Sequence, residues 1–230
     1  MRGWALLLTA VSALGQQKSF VACPIVRDTK TVPCFVAEYE GETYFLGTSH
    51  SEQVPQLKHE VLVEGRVASG PRVCGGLRLD PVSISVMPEV ALGCNTMLPA
   101  EPGMEAPAAA VRTVREPSSG IQEFVVLYQF DDDRANVEVV NQAAVYARKS
   151  GGRVKVTGSR ATSLLSDGRR LVEREGLAER RANSVAAVLR GLGVSNVAVE
   201  AAKEAAPADG QTDASRRRVV IAVVPVNAAK

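Results

Sequence analysis

Between Gly176 and Leu192 the chain reads as one helix with a charge in an apolar position. At helical spacing Leu177, Val185, Val188, Leu189 and Leu192 fall on a single apolar stripe. Arg181 lies four residues from Leu177 and four from Val185, so it belongs to that stripe. A guanidinium cannot shed its proton, so a fold that buries the stripe must bring an anion to Arg181. The alternative is that Arg181 snorkels out at the N-terminal end of the helix. An anion comes either from the chain itself or from a ligand, and that choice decides what this part of the molecule does.

The chain has 230 residues, enough for one large or two small domains. Only 4% of it is aromatic, and its net charge is +2. Stacking platforms are therefore scarce, and no general attraction to nucleic acid is expected. Arg2 followed by the apolar stretch Trp4 to Leu14 reads as a secretory signal, too short to span a bilayer. Small residues at Ala13 and Gly15 place cleavage after Gly15, so residues 1–15 are expected to be removed. The alternative is a buried N-terminal helix or an uncleaved anchor. No later run approaches a membrane span.

Four cysteines, Cys23, Cys34, Cys74 and Cys94, imply disulfides in an exported chain, with three possible connectivities. The local pairing, Cys23–Cys34 with Cys74–Cys94, is preferred. The competing use of Cys23 is lipidation. With no Cys-x-x-Cys and only His50 and His59, a zinc or thioredoxin-type site is not expected, nor is any cofactor.

Residues 20–98 read as an all-β domain. Phe35 to Tyr39 and Glu42 to Leu46 flank Glu40-Gly41, a hairpin signal. Val61, Val63 and Val67 alternate with Glu60, Leu62, Glu64 and Arg66, a half-buried strand with a possible bulge at Gly65. Two further strands are separated by Asp80-Pro81. Strands this short and numerous predict a small disulfide-stabilised barrel or sandwich, of which the oligonucleotide/oligosaccharide-binding (OB) barrel is the nearest type. Residues 99–122 hold four prolines' worth of breaks with an alanine run and read as a flexible linker. Beyond it the order of strands and helices is β-α-β-α-β-β, which predicts two helices on one face of a mixed sheet. Asp131-Asp132-Asp133 are expected to cap the first helix, with Val137, Val140, Ala144 and Ala147 facing the core and Gly151-Gly152 ending it.

This second half, residues 123–226, resembles the OmpA-like C-terminal domain family. The resemblance is carried by Phe124 to Asp133, by Lys155 to Gly158, by Leu177 to Val185, by Gly191 to Val194, and by Arg217 to Ile221. It implies a protein of the periplasm or the periplasmic side of the outer membrane that binds the diaminopimelate unit of peptidoglycan without covalent chemistry. In that family an aspartate holds the ligand's ammonium and an arginine its carboxylate. The arginine maps onto Arg181, and the basic pair of the last strand onto Arg217 and Arg218. The family's Thr-Asp pair reads Arg160-Ala161 here, and the following loop is about five residues longer. Asp167 in that loop is the candidate replacement for the aspartate, while Glu173 or Glu175 is the candidate for an internal pair with Arg181.

The ligand set on this reading is Arg181, Asp167, Arg160 and Arg217. The competing reading is an OmpA-like domain that has lost the ligand and serves as a protein–protein interaction module in an envelope or secretion assembly. A third is binding of another anion by Arg160, Arg169, Arg170, Arg174 and Arg180, if they converge. No paired carboxylates, nucleophile elbow or zinc-protease motif appears, so no enzyme is expected. An envelope protein is the expected partner of the β-domain.

Overall fold

The computed structural model describes residues 15–101, 104, 106 and 120–226. The signal region and most of the linker lie outside the described residues. The first half is built from β1 (Gln17–Ala22), β2 (Ile25–Arg27), β3 (Cys34–Tyr39), β4 (Glu42–Thr48), β5 (His59–Val67), β6 (Leu77–Val90) and β7 (Thr96–Leu98). They form one sheet in the order β1-β5-β6-β4-β3-β2-β7. β1 and β2 sit near opposite ends of that order, yet only Cys23-Pro24 separates them in sequence. One bent stretch therefore pairs with β5 on one side and β3 on the other. This curls the sheet around a core of Phe20, Tyr44, Leu46, Val61, Val63 and Ile84.

Glu40 and Gly41 both have positive φ, at 52° and 77°, the two-residue turn expected between β3 and β4. The register slips between Gly65 and Val67, where the bulge was expected. Gly65 is required there, because a Cβ would stand 2.8 Å from the Pro81 carbonyl oxygen. The break expected at Asp80-Pro81 is absent. β6 runs through it, pairing with β5 on both sides, because the bulge opposite takes up the proline's missing N–H.

The disulfides join Cys23 to Cys94 and Cys34 to Cys74, not the sequence-local pairs. Strand order explains the difference. Cys23 lies at the bend before β2, and β2 pairs in parallel with β7, just after Cys94. Cys34 opens β3, next to β4, whose other neighbour β6 follows Cys74. Closing loops of 71 and 40 residues should contribute about 4 kcal/mol each on the chain-entropy account.

The second half contains β8 (Gln122–Leu127), α1 (Val137–Ser150), β9 (Arg153–Gly158), β10 (Thr162–Leu164), β11 (Arg170–Val172), α2 (Leu177–Gly191), β12 (Val197–Ala201), α3 (Asp213–Arg216) and β13 (Arg218–Val224). Its main sheet has the order β12-β9-β13-β8, with β12 and β9 parallel and the other pairs antiparallel. α1 and α2 pack on one face over Val126, Val156, Ile221, Val140, Val185 and Leu189. The order expected from sequence is present, with two additions: the hairpin β10–β11 and the single turn α3. The cap of α1 is Asn136, whose side chain accepts from the Glu138 N–H, rather than the acidic triplet. Gly151, in the left-handed conformation, ends the helix as expected. Val137 is exposed, and Ala143 takes its place in the core.

The two halves are not joined by the linker alone. Leu62, on the outer face of the first sheet, is buried with Phe130 and Leu165 of the second half. Its neighbour Glu64 is buried as well and pairs with Arg217 through both guanidinium ends. Ser163 bridges the pair, donating to Glu64 and accepting from Arg217, each at 2.9 Å. Ser19 and Ser166 exchange two hydrogen bonds, and the Phe130 N–H donates to Ser85 Oγ at 2.8 Å. This cover explains why β5 is buried on both faces instead of alternating. The linker's first residues also stay on the first sheet: Arg27 pairs with Glu101 at 3.1 Å, and Met104 and Ala106 pack over Cys34 and Cys74.

A seam of this kind predicts one cooperative unfolding transition rather than two. Arg217→Ala would leave Glu64 buried without its partner and should cost about 3–5 kcal/mol. Calorimetry of wild type and variant checks both points. Two separate wild-type transitions would show that the halves fold independently.

Candidate functional site

α2 places Arg181 on its buried face, and the side chain is fully enclosed. Its partner is Glu173, which follows β11 and is also fully enclosed. Arg181 Nη2 donates to Glu173 Oε1 at 2.6 Å, and Nη1 donates to Oε2 at 3.1 Å. The other donors are used as well. Nε reaches the Asp132 carbonyl at 2.7 Å, Nη1 the Ser159 carbonyl at 3.1 Å, and Nη2 the Gln129 carbonyl at 3.1 Å. A guanidinium has five N–H donors, so this one has none left for a ligand.

Glu173 is equally committed. Besides the arginine, it accepts the Asp131 N–H at 3.0 Å on Oε1 and the Ala161 N–H at 2.8 Å on Oε2. Ala161 stands where the resemblance places the family's aspartate. The longer loop here is the hairpin β10–β11, which delivers Glu173 to that position. The hairpin thus puts a carboxylate of this chain into the place where a ligand's carboxylate was expected.

The other expected ligand residues do not gather around Arg181. Asp167 lies at the turn of the hairpin and pairs with Arg169 at 2.7 Å. Hydrogen bonding by the Arg169 backbone N–H, and then by its guanidinium, holds the Asp167 carboxyl below its usual range. Arg160 is buried and donates to the carbonyls of Glu173, at 2.7 Å, and Lys203. Arg217 belongs to the seam with Glu64. The arginine-rich loop does not converge either: Arg169 pairs with Asp167, Arg174 with Asp131 and Arg180 with Asp133, while Arg160 is turned inward. Of the three aspartates read as a helix cap, Asp132 pairs with Arg134, and Asp131 and Asp133 therefore answer arginines of this loop. Asp131 does so from a left-handed backbone, φ 58°, with its side chain accepting the Arg174 N–H at 2.8 Å.

Two carboxylates were not foreseen. Glu64 falls on the nominally outward face of β5, and the signal available was Leu62 on that same face. Asp213, at the start of α3, is buried and accepts the N–H groups of Leu164, Asp209 and Gly210 at 2.8–3.0 Å. It ties the loop before α3 to the hairpin.

No family model matches the chain, and no curated protein matches it either. Among solved structures, similar ones include an OmpA-like domain, a cell wall anchor and a periplasmic domain. The OmpA-like domain of FopA1 from Francisella tularensis is 16% identical, covering 46% of this chain and 73% of that one, with a TM-score of 0.35. The cell wall anchor of the T6SS from Pseudomonas aeruginosa is 20% identical over 48% of this chain and 85% of that one, with a TM-score of 0.34. The periplasmic domain of Helicobacter pylori MotB is 17% identical over 51% of this chain and 90% of that one, with a TM-score of 0.31. What the second half of this chain does has to be read from its own side chains.

Tyr128 reports on the closure of the Arg181 site. Its ring lies 4.6 Å from the Arg181 guanidinium carbon, and its hydroxyl is buried without a partner among the described residues. Burial pushes its pKa up, against the opposing pull of Arg181. A phenol whose pKa rises on folding contributes stability that is full below its unfolded pKa of about 10 and is lost above it. Tyr128→Phe should therefore gain about 1 kcal/mol at neutral pH by removing an unpaired hydroxyl. It should also unfold less steeply than wild type above pH 10, as measured by urea titrations across pH. A hydroxyl that exchanges freely with water would give no difference.

Proposed function

We propose that this chain is an exported cell-envelope protein whose OmpA-like half has given up peptidoglycan as a ligand of Arg181 and works as a non-catalytic interaction module. One observation carries the reading: all five donors of Arg181 end on acceptors of the chain itself, Glu173 foremost. A diaminopimelate carboxylate could reach Arg181 only by displacing Glu173, and the seam and the hairpin hold Glu173 in place. Export is supported by the apolar N-terminal segment and by two disulfides. No helix among the described residues is long and apolar enough to cross a membrane. A periplasmic location fits these features and the family resemblance.

The first half is read as an OB-type barrel. Its support is the parallel pairing of β4 with β6 among mostly antiparallel neighbours, and the bent β1–β2 stretch that joins the two sides. On this reading the barrel and the OmpA-like half act as one body. An envelope protein is the partner class proposed for the whole.

Co-sedimentation of the oxidised chain with isolated peptidoglycan sacculi tests the reading. The expected result is equal recovery in the supernatant with and without sacculi. Sedimentation that free diaminopimelate competes away would overturn it and restore peptidoglycan as the ligand.

A further inference from the structure

We propose that the outer edge of β12, with the groove between it and α2, docks an extended basic segment of a partner protein, which adds to the sheet as a further strand. The inference rests on the interaction-module reading and names its surface. β12 ends its sheet, so half of its backbone groups face away from β9. The parity is fixed by two hydrogen bonds: the Val154 N–H donates to the Asn196 carbonyl and the Ala202 N–H to the Gly158 carbonyl, both at 2.9 Å. Even-numbered residues thus face β9, and the N–H and C=O groups of Val199 and Ala201 point outward. Val197 also points outward, and its carbonyl is taken by Arg190 at 3.2 Å. Neither proline nor lysine blunts this strand, the usual ways an edge is protected.

A groove of about 640 Å³ runs beside this edge, between the first turns of α2 and residues 199–204. Its walls carry Glu175, Glu179, Glu200 and Glu204. Glu200 pairs with Lys155 at 2.9 Å, whereas the other three have no ion pair among the described residues. Of the two cations that line the groove, Arg160 is turned inward onto the Glu173 and Lys203 carbonyls, which leaves Lys203. The groove is therefore negative. Free backbone groups supply the affinity of strand addition, and the carboxylates select side chains that carry positive charge. An extended segment presents alternate side chains to one face, so lysine or arginine at every second position would meet the Glu175–Glu179 and Glu204 walls.

The test uses the full oxidised chain and a fluorescein-labelled peptide alternating lysine and valine, with a glutamate–valine peptide as control. Fluorescence anisotropy should show saturable binding of the basic peptide alone. Ala201→Pro removes an outward N–H without touching the bonds to β9 and should weaken binding about tenfold. Glu179→Lys with Glu204→Lys should weaken it at least as much, with thermal midpoints within a few degrees of wild type by the usual size scaling. Binding that charge reversal abolishes but Ala201→Pro leaves unchanged is general charge attraction and overturns strand addition. Equal binding of the acidic peptide, or no saturable binding, overturns the proposal too. Any of these results leaves the interaction-module reading standing, since only sedimentation with sacculi bears on that.

Discussion

The rest of the C-terminal half is arranged around a single buried contact, the two-pronged pairing of Arg181 with Glu173. Neither charge touches solvent, and neither keeps a free hydrogen-bonding position on its paired atoms. Taking two such charges out of water costs several kcal/mol, so the pair is a poor source of net stability. Its effect is to specify one structure. Arg181 draws the carbonyls of Gln129, Asp132 and Ser159 inward, and Glu173 holds the N–H groups of Asp131 and Ala161. Loss of either partner would leave the other charged and alone in a dry site. The strand end after β8, the turn after β9 and the hairpin exit are thereby fixed to one another.

The hairpin that delivers Glu173 also joins the molecule's halves. Ser163 and Leu165 stand on its inner side against β5, and Ser166 bonds to β1. A second buried ion pair, Glu64 with Arg217, lies beneath it. One hairpin therefore closes the arginine site and docks the first sheet. The two consequences are coupled physically, because displacing Glu173 would pull on a segment that is anchored in the seam. Buried contacts thus join what the linker's composition reads as two tethered halves.

Much of the fold was legible in the sequence, because periodicity and turn chemistry are local. The Glu40-Gly41 turn, the Gly65 bulge, the Gly151 stop and the β-α-β-α-β-β order all rest on residues close together in the chain. The misplacement of Arg181 was legible as well, and Glu173 was one of the internal partners it nominated. What sequence could not supply was long-range. The disulfides follow strand order, which brings Cys23 beside Cys94 and Cys34 beside Cys74. The helix cap went to Asn136, while Asp131 and Asp133 pair with Arg174 and Arg180, remote in sequence, and Asp132 with the adjacent Arg134. Glu64 looked like the solvent side of an alternating strand, since nothing local records that another half-molecule covers that face. Asp167 was the acidic residue nearest in kind to the missing aspartate, but the hairpin turns it towards Arg169 and away from the site.

A double-mutant cycle on Arg181 and Glu173 tests the central contact most directly, with Arg181→Met, Glu173→Leu and the pair compared by denaturant unfolding. The account predicts that each single change is strongly destabilising and that the double variant is more stable than the sum of the two, with a coupling of about 2–3 kcal/mol. Additive effects would contradict it. They would mean that Arg181 is not answered by Glu173 and that its anion must come from outside the chain.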